Sequence, residues 1–355
     1  MATDSSIPSA QANLLAPLVH TDEIRILCLA PTKESGTITC TMSTVRLSAR
    51  PQYEALSYEW GSEKFRVITL NGQDIKIRQN LFDALLSLRL TDVARTLWVD
   101  AVCINQENIE ERNHQVSQMA AIYGQAQSVV VWLGWPEENE VGAAIGFLQK
   151  IPRIGEEYIH LFYRDCLENG YPSPKSREYQ GRANFRATRK GLQCLSQKRY
   201  WTRLWVIQEA LLATDVKVHC GRCCIAWKSL RIFCQSLQGK AIPFEDTELR
   251  DIKESPMMNF MAGDRQISTL SLSYRCWLHG KANCEKLLDK VFGLWALAPG
   301  CCQQAVPVDY SATFDEVMQK LWDHDIAAHG MPVDTAASVD DFKRGLFGNA
   351  LRSSN

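Results

Sequence analysis

Residues 96–134 read TLWVDAVCINQENIEERNHQVSQMAAIYGQAQSVVVWLG, and this stretch decides the predicted fold. The run at 96–106 is a short apolar strand that enters a polar loop. SVVVWLG at 128–134 is continuously apolar, as in a strand that is covered on both faces. A helix is predicted between them, over about 108–124, because its apolar residues recur at helical spacing. This alternation favours an α/β fold with a mostly parallel sheet flanked by helices.

The residues before this stretch add β-structure. Strands are predicted at 24–30, 37–47 and 53–61. A β-hairpin is predicted around Asn71-Gly72, a pair that suits a tight primed turn. Asn80 is predicted to cap the helix NLFDALLSLRL that follows.

The residues after it are mainly helical. Helices are predicted at about 139–150, 185–197, 199–213 and 312–328, with a hairpin at 215–227 and an insertion or linker at 152–184. The predicted organisation is a disordered lead-in at 1–20, one domain at 21–335 and a tail at 336–355. Within the domain, a sheet-bearing core covers about 50–230 and a helical C-terminal part covers about 231–335.

The composition excludes several classes of protein. Lys and Arg number 39 against 40 Asp and Glu, which gives no support to a nucleic-acid-binding protein. No apolar run is long enough to cross a membrane, and the first twenty residues lack the features of a signal peptide. The thirteen cysteines are an odd number without a paired spacing, so we expect reduced thiols and a cytoplasmic location.

Polar residues of the segment at 96–106, at the end of its strand and in its loop, form the first candidate site. Asp100 comes where ligands of open α/β sheets bind, and Asn105 and Gln106 follow it in the loop. The alternative is that Asp100 caps the next turn and the amides tie the loop down. At the end of the strand at 53–61, Tyr58, Trp60 and Gly61 could form a stacking shelf or belong to the core.

The helix at 199–213 carries a polar pair on its apolar face. Gln208 lies at the centre of that face and Glu209 on its edge, beside Trp205 at i,i+4 spacing. A buried polar pair costs free energy unless it is satisfied. Either Glu209 is satisfied by a hydrogen bond or by an arginine such as Arg199 or Arg203, or it points into a cleft.

Two weaker patterns point to other chemistry. Cys220, Cys223, Cys224 and His219 resemble half of a zinc knuckle, but the second half is missing, so no metal site is predicted. Cys103 and His114 could form a nucleophile–base pair, although neither has a visible orienting group. The chain has neither of the usual glycine-rich phosphate loops.

Several ordered segments together resemble the heterokaryon-incompatibility (HET) domain of filamentous fungi. They are YEALSYEWG, the residues from Leu97 to Gly134, YWTRLWVIQEALLA at 200–213, LDKVFGLWALAP at 288–299 and VPVDYSATFDEV at 306–317. The resemblance implies a cytoplasmic effector of programmed cell death in fungal non-self recognition. It also implies protein partners in that pathway and a possible homo-oligomer.

The same core more distantly resembles Toll/interleukin-1 receptor (TIR) domains. TRLWVIQE at 202–209 places Trp205 four residues before Glu209, as in the segment that carries the catalytic glutamate of NAD-cleaving TIR enzymes. The resemblance implies that Glu209 is catalytic and that NAD is a substrate rather than a bound cofactor. The substrate-binding candidates are Tyr58, Trp60, Gly61, Asp100, Asn105, Gln106 and Trp205. A scaffold that signals death by self-association, without catalysis, is the alternative.

Overall fold

The structure is a computed structural model of the whole chain. It describes residues 15–32, 37–136, 141–155, 159–160, 162, 185–239, 247–262, 270–330 and 338–348. Most of the insertion predicted at 152–184 and residues 1–14 of the predicted lead-in lie outside the described residues. The chain divides into two compact units. Unit one consists of 1–129, 203–214 and 265–355, and unit two consists of 130–202 and 215–264.

The strands are β1 (Glu23–Leu29), β2 (Thr39–Arg46), β3 (Glu54–Tyr58), β4 (Phe65–Leu70), β5 (Gln73–Arg78), β6 (Arg95–Trp98), β7 (Val129–Trp132), β8 (Val216–Cys220) and β9 (Cys223–Ala226). The α-helices are α1 (Gln79–Leu88), α2 (Asp100–Cys103), α3 (Ile109–Ser117), α4 (Met119–Gln125), α5 (Val141–Ile154), α6 (Phe185–Ser196), α7 (Trp205–Leu212), α8 (Trp227–Gln238), α9 (Thr247–Lys253), α10 (Pro256–Ala262), α11 (Leu272–His279), α12 (Asp289–Trp295), α13 (Gly300–Ala305), α14 (Phe314–Ala328) and α15 (Val339–Phe347).

The strands of unit one run in the order β5-β4-β2-β1-β6-β3. The pairs β1–β2, β1–β6 and β4–β5 are antiparallel, while β2–β4 and β3–β6 are parallel. The fold is therefore mixed α/β, and the prediction of a mostly parallel sheet is wrong for this unit. The reason is that β1 lies against β6 in antiparallel register, with Leu27 opposite Leu97, a long-range pairing that local periodicity does not reveal.

The predicted hairpin and the predicted helix cap have different outcomes. Asn71 and Gly72 have φ angles of 50° and 79°, which confirms a turn with two left-handed residues between β4 and β5. Asn80, in contrast, does not cap α1, since the N-cap is Arg78 and makes no side-chain capping bond. The Asn80 side chain instead donates to the Glu59 carbonyl oxygen, which fixes the loop after β3.

Residues of unit one outside the sheet also bury apolar side chains. The predicted helix at 108–124 is interrupted at Gln118 and forms α3 and α4. In the predicted lead-in, Leu15 is buried. In the predicted tail, α15 buries Phe342, Leu346 and Phe347.

Unit two contains β7, β8 and β9 in that order, together with α5, α6, α8, α9 and α10. All four residues of β7 are buried, as its continuous apolar run predicts. β8 and β9 form an antiparallel hairpin whose turn includes Gly221 at φ 55°, where the hairpin at 215–227 is predicted. In the described part of both units, no helix has the length and apolar character needed to cross a membrane.

Candidate functional site

The candidate site lies in unit one, where the parallel strands β3 and β6 end. Their register places Glu54 opposite Leu97 and Ala55 opposite Trp98. Both strands therefore finish at the same edge, β3 with Tyr58 and β6 two residues before Asp100. The carboxyl ends of parallel strands are the usual place for a ligand in an α/β protein.

Glu209 reaches this edge from α7. Its side chain is buried, at 3% relative exposure, and Oε2 accepts a hydrogen bond from the Ser57 hydroxyl of β3. Tyr123 of α4 supplies a further side-chain hydrogen bond. Gln208, the other half of the predicted polar pair, is fully buried and its Nε2 lies 3.5 Å from Met119 Sδ. The helix face carries buried polar groups, as the spacing predicts.

Arg203 supplies the positive charge of the site. Its guanidinium donates to the Tyr58 carbonyl oxygen at the end of β3. The same charge acts on both Glu209 and Asp100. One guanidinium thus stands against two carboxyl groups.

Burial is the main cause of the raised pKa values in this cluster. It raises the pKa of Glu209 to about 7, although Arg203 and the Ser57 hydrogen bond oppose the rise. Burial also raises the pKa of Asp100, against the Trp60 hydrogen bond and the charge of Arg203. The pKa of Tyr58 is raised well above its ordinary value, again chiefly by burial. Shifted carboxyl groups that share a cluster are typical of functional sites.

Asp100 links two parts of this edge. Its Oδ2 accepts from the Trp60 indole nitrogen at 2.9 Å, and its Oδ1 accepts from the Ala101 backbone nitrogen at 2.7 Å. The second bond is not a helix cap, because the N-cap of α2 is Val99 and it makes no side-chain capping bond, while the first bond holds Trp60 at the site. Trp60 is half-buried and carries the Arg78 guanidinium 5.3 Å from its ring centre. Tyr58 is buried, so Trp60 is the ring that reaches the surface.

Gly61 allows the chain to turn sharply behind Trp60. Its φ is 73°, and a Cβ there would lie 3.1 Å from Asn80 Cβ. Both the positive φ and the close approach favour glycine. The Gly61 carbonyl oxygen also accepts from Arg78 Nη1 at 3.2 Å.

The two amide candidates in the loop have structural contacts. Asn105 Oδ1 accepts from the Glu107 backbone nitrogen at 3.2 Å, and Gln106 Nε2 donates to the Asp100 carbonyl oxygen at 3.2 Å. Both side chains are half-buried. They tie the loop down beside Asp100 while remaining accessible in part.

Trp205 is directed towards a second cluster. It makes a side-chain hydrogen bond to Asp289, whose Oδ1 accepts from the Tyr310 hydroxyl at 2.7 Å. Trp205 thus joins the segment at 200–213 to the segments at 288–299 and 306–317. Among the predicted site residues, Tyr58, Trp60, Asp100 and Glu209 come together, and Trp205 is turned to this neighbouring contact.

The cysteine alternative has an unfavourable geometry. Cys103 is fully buried, and burial raises the pKa of its thiol to about 12. The His114 ring nitrogen lies 2.9 Å from the Thr21 carbonyl oxygen. A buried, protonated thiol is a poor nucleophile, so this arrangement gives no support to a cysteine hydrolase.

The half zinc knuckle lies on β8 and β9 in unit two. Among the described residues, Cys220, Cys223, Cys224 and His219 do not form a group of ligand atoms that could share one ion. Such a group does occur in unit one, formed by Cys301, Cys302, His324 and His329. The two histidines have a usual ligand spacing, but the two cysteines are adjacent to each other and lie far from the histidines in sequence, which is why the sequence does not predict the group.

Ser57, Tyr123 and Arg203 complete the Glu209 cluster. The sequence predicts Arg203 only as one possible partner of Glu209. Ser57 gives a signal that could have been used, because it is the polar residue among the last four residues of β3, all of which are buried. A hydroxyl in such a run needs a partner. No local pattern pairs Tyr123 with Glu209.

Comparison with known proteins supports the predicted family. Residues 53–209 match the family model described as Heterokaryon incompatibility protein (HET). The chain is also 26% identical over 368 residues to Heterokaryon incompatibility protein 6, OR allele, of Neurospora crassa. That match covers 84% of this chain and 52% of the relative, so the chain spans about half the length of this curated relative. No solved structure matches the chain significantly.

Proposed function

We propose that this protein is a cytoplasmic cell-death effector of fungal non-self recognition that cleaves NAD at Glu209. The HET match at 53–209 supports the biological role, and it includes Ser57, Asp100, Arg203 and Glu209. The single observation that supports the chemistry is the buried Glu209 carboxyl at the shared end of β3 and β6.

The protonation of Glu209 suits cleavage of a nicotinamide–ribose bond. Nicotinamide leaves as a neutral molecule, so the reaction needs no strong general acid. It needs negative charge beside the ribosyl cation that develops, and a water molecule then bonds to that cation and releases a proton to solvent. With a pKa of about 7, Glu209 is roughly half ionised at neutral pH. A preorganised charge in a site that excludes water contributes strongly to the stability of such a transition state.

The remaining residues suit the other parts of the dinucleotide. Trp60 offers a half-exposed ring on which a ring of the dinucleotide can stack, and Arg78 lies close to the same ring. Asp100, Asn105 and Gln106 present oxygen and amide groups to ribose hydroxyls. Because Glu209 is only 3% exposed, substrate entry requires side chains of the site to move, and we expect the Trp60–Asp100 contact to open. We expect self-association to favour that opening.

The test compares NAD loss for the full chain and for Glu209→Gln, at high protein concentration. The variant keeps the size and polarity of the side chain but removes the charge. We expect a rate at least about 100-fold lower, the loss typical of removing an electrostatic group from an active site. Glu107→Gln is the matched control, because Glu107 is exposed in the nearby loop. Equal rates for Glu209→Gln and the full chain would exclude Glu209 as the catalytic group.

A non-enzymatic scaffold is the second candidate, and one observation favours it. Glu209 already has side-chain hydrogen bonds from Ser57 and Tyr123, so the carboxyl has a structural role available. Under this alternative, Glu209→Gln stays toxic in a fungal host and no NAD is consumed. Loss of toxicity in a variant that remains folded supports the enzyme instead.

A further inference from the structure

Four side chains of the types that bind transition metals meet at the ends of two helices in unit one. Cys301 and Cys302 lie in the first turn of α13, and His324 and His329 lie at the end of α14. One ligand atom from each residue falls within 4.8 Å of the others. Cys302 is buried and His324 is half-buried, while Cys301 and His329 are exposed. One side of the cluster is thus open to an ion from solvent.

The distances are close to those of a tetrahedral site. Zinc binds thiolate sulfur at about 2.3 Å and imidazole nitrogen at about 2.0 Å, which places the ligand atoms about 3.3–3.8 Å apart. His329 Nε2 already lies 3.2 Å from Cys302 Sγ and 3.6 Å from Cys301 Sγ. The other ligand atoms need to move by only about 1 Å to complete the tetrahedron.

The second imidazole provides an independent observation. His324 Nε2 is buried and has no hydrogen-bond partner among the described residues. The rings of His324 and His329 have their centres 5.1 Å apart with an interplanar angle of 77°. A buried nitrogen without a partner costs free energy, and a metal ion is one way to satisfy such a ring.

We propose that Cys301, Cys302, His324 and His329 bind one Zn²⁺ ion. Two thiolates and two neutral imidazoles balance the charge of the ion, and binding releases the two thiol protons to solvent. The mixture of thiolate and imidazole selects zinc over magnesium or calcium, which prefer oxygen. All four positions are filled by protein, so the site is structural. It joins the start of α13 to the end of α14.

The test measures zinc bound to the full chain purified without chelator, by elemental mass spectrometry. Cys301→Ser and His329→Gln are the informative variants, because both side chains are exposed and their replacement leaves the buried apolar side chains in place. We expect one zinc per chain in the unaltered protein and an affinity reduced by more than about 100-fold in each variant, beyond the usual effect of a residue behind the ligands. Cobalt(II) should give thiolate charge-transfer bands and the visible absorption of a tetrahedral ion.

Cys223→Ser is the matched control, since Cys223 is also exposed but belongs to the half zinc knuckle of unit two. It should retain one zinc per chain. The proposal is overturned if the full chain takes up no zinc when zinc is supplied, or if Cys301→Ser and His329→Gln bind it as tightly as the unaltered protein. Loss of zinc in Cys223→Ser, or a Cys301–Cys302 disulfide under reducing conditions, would also overturn it.

Discussion

Two buried charged regions of unit one contact the segment that follows β6, and they are built differently. In the first, Arg25 is 1% exposed and binds both oxygens of Glu111, at 2.6 and 3.0 Å. The remaining donors of Arg25 bind the carbonyl oxygens of Ala16 and Cys103. In the second, Glu209 and Asp100 share the charge of Arg203, which donates a hydrogen bond to the Tyr58 carbonyl oxygen.

The comparison separates charged groups that stabilise the fold from charged groups that are buried without full compensation. One cation meets one anion in the Arg25–Glu111 pair, and every donor of the guanidinium is used. At Glu209 and Asp100 negative charge is in excess, and burial raises both pKa values. A stable fold does not require this excess, and this is why the functional role that we propose is placed in the second region.

The largest expected loss of stability comes from breaking the Arg25–Glu111 pair. Glu111→Gln leaves the Arg25 charge buried without its counter-ion. We expect the free energy of unfolding to fall by about 3–5 kcal/mol, as for other broken buried pairs. Urea denaturation at pH 7 measures it, with Glu110→Gln as the control because Glu110 is exposed on the same helix. A change below about 1 kcal/mol would remove the contrast between the regions.

Glu209→Gln should raise the free energy of unfolding at pH 8, whereas Glu111→Gln lowers it. The Glu209 pKa rises from 4.5 to about 7 on folding, so the folded state binds the proton more tightly than the unfolded chain. The unaltered protein therefore loses stability as the pH rises from 4.5 to about 7, by about 3 kcal/mol at about 1.4 kcal/mol per pKa unit. We expect the variant to match the protein near pH 4.5 and to exceed its stability at pH 8. A less stable variant at pH 8 would contradict this view of Glu209.

Ser57→Ala acts on the same carboxyl with a smaller effect. The Ser57 hydroxyl donates to Glu209 and opposes the rise in its pKa. A hydrogen bond to a charged group contributes about 1.5–3 kcal/mol, so its loss should raise the Glu209 pKa by roughly one unit or more. NMR titration of the Glu209 side chain measures the shift. An unchanged pKa would mean that the contact does not stabilise the carboxylate.

The smallest change in stability is expected at Arg78 and Trp60, which form the partly exposed rim of the Glu209 cluster. Arg78 lies over Trp60 and its ion pair with Glu285, at 3.9 Å, is partly exposed. Arg78→Ala should lower the free energy of unfolding by only about 1 kcal/mol, because partly exposed cation–π and ion pairs are weak. Thermal unfolding checks it. A loss as large as that of Glu111→Gln would show that the rim also supports the fold.

The sequence predicts what local patterns determine. Asn71-Gly72 specifies its turn through backbone conformation alone, and the apolar run of β7 specifies burial. The burial of Gln208 and Glu209 follows from helical spacing. Each of these predictions depends on residues close together in the chain.

Long-range contacts explain what the sequence does not predict. The antiparallel placement of β1 beside β6 depends on Leu27 meeting Leu97. Asn80 has the residue type of a helix cap, but it lies inside α1, which begins at Gln79, and its side chain donates to the Glu59 carbonyl oxygen. Tyr123 approaches Glu209 from α4, and Cys302 approaches His329 from another helix. These pairs become neighbours only when the chain folds.

The most direct test of Glu209 as the catalytic group is the pH dependence of NAD cleavage by the concentrated full chain. Catalysis by the ionised carboxyl predicts a rate that rises with pH and is half-maximal near pH 7, the pKa of Glu209. Ser57→Ala should move that midpoint upward. A rate that does not change between pH 5 and pH 9, across the whole range in which this carboxyl ionises, would contradict the assignment.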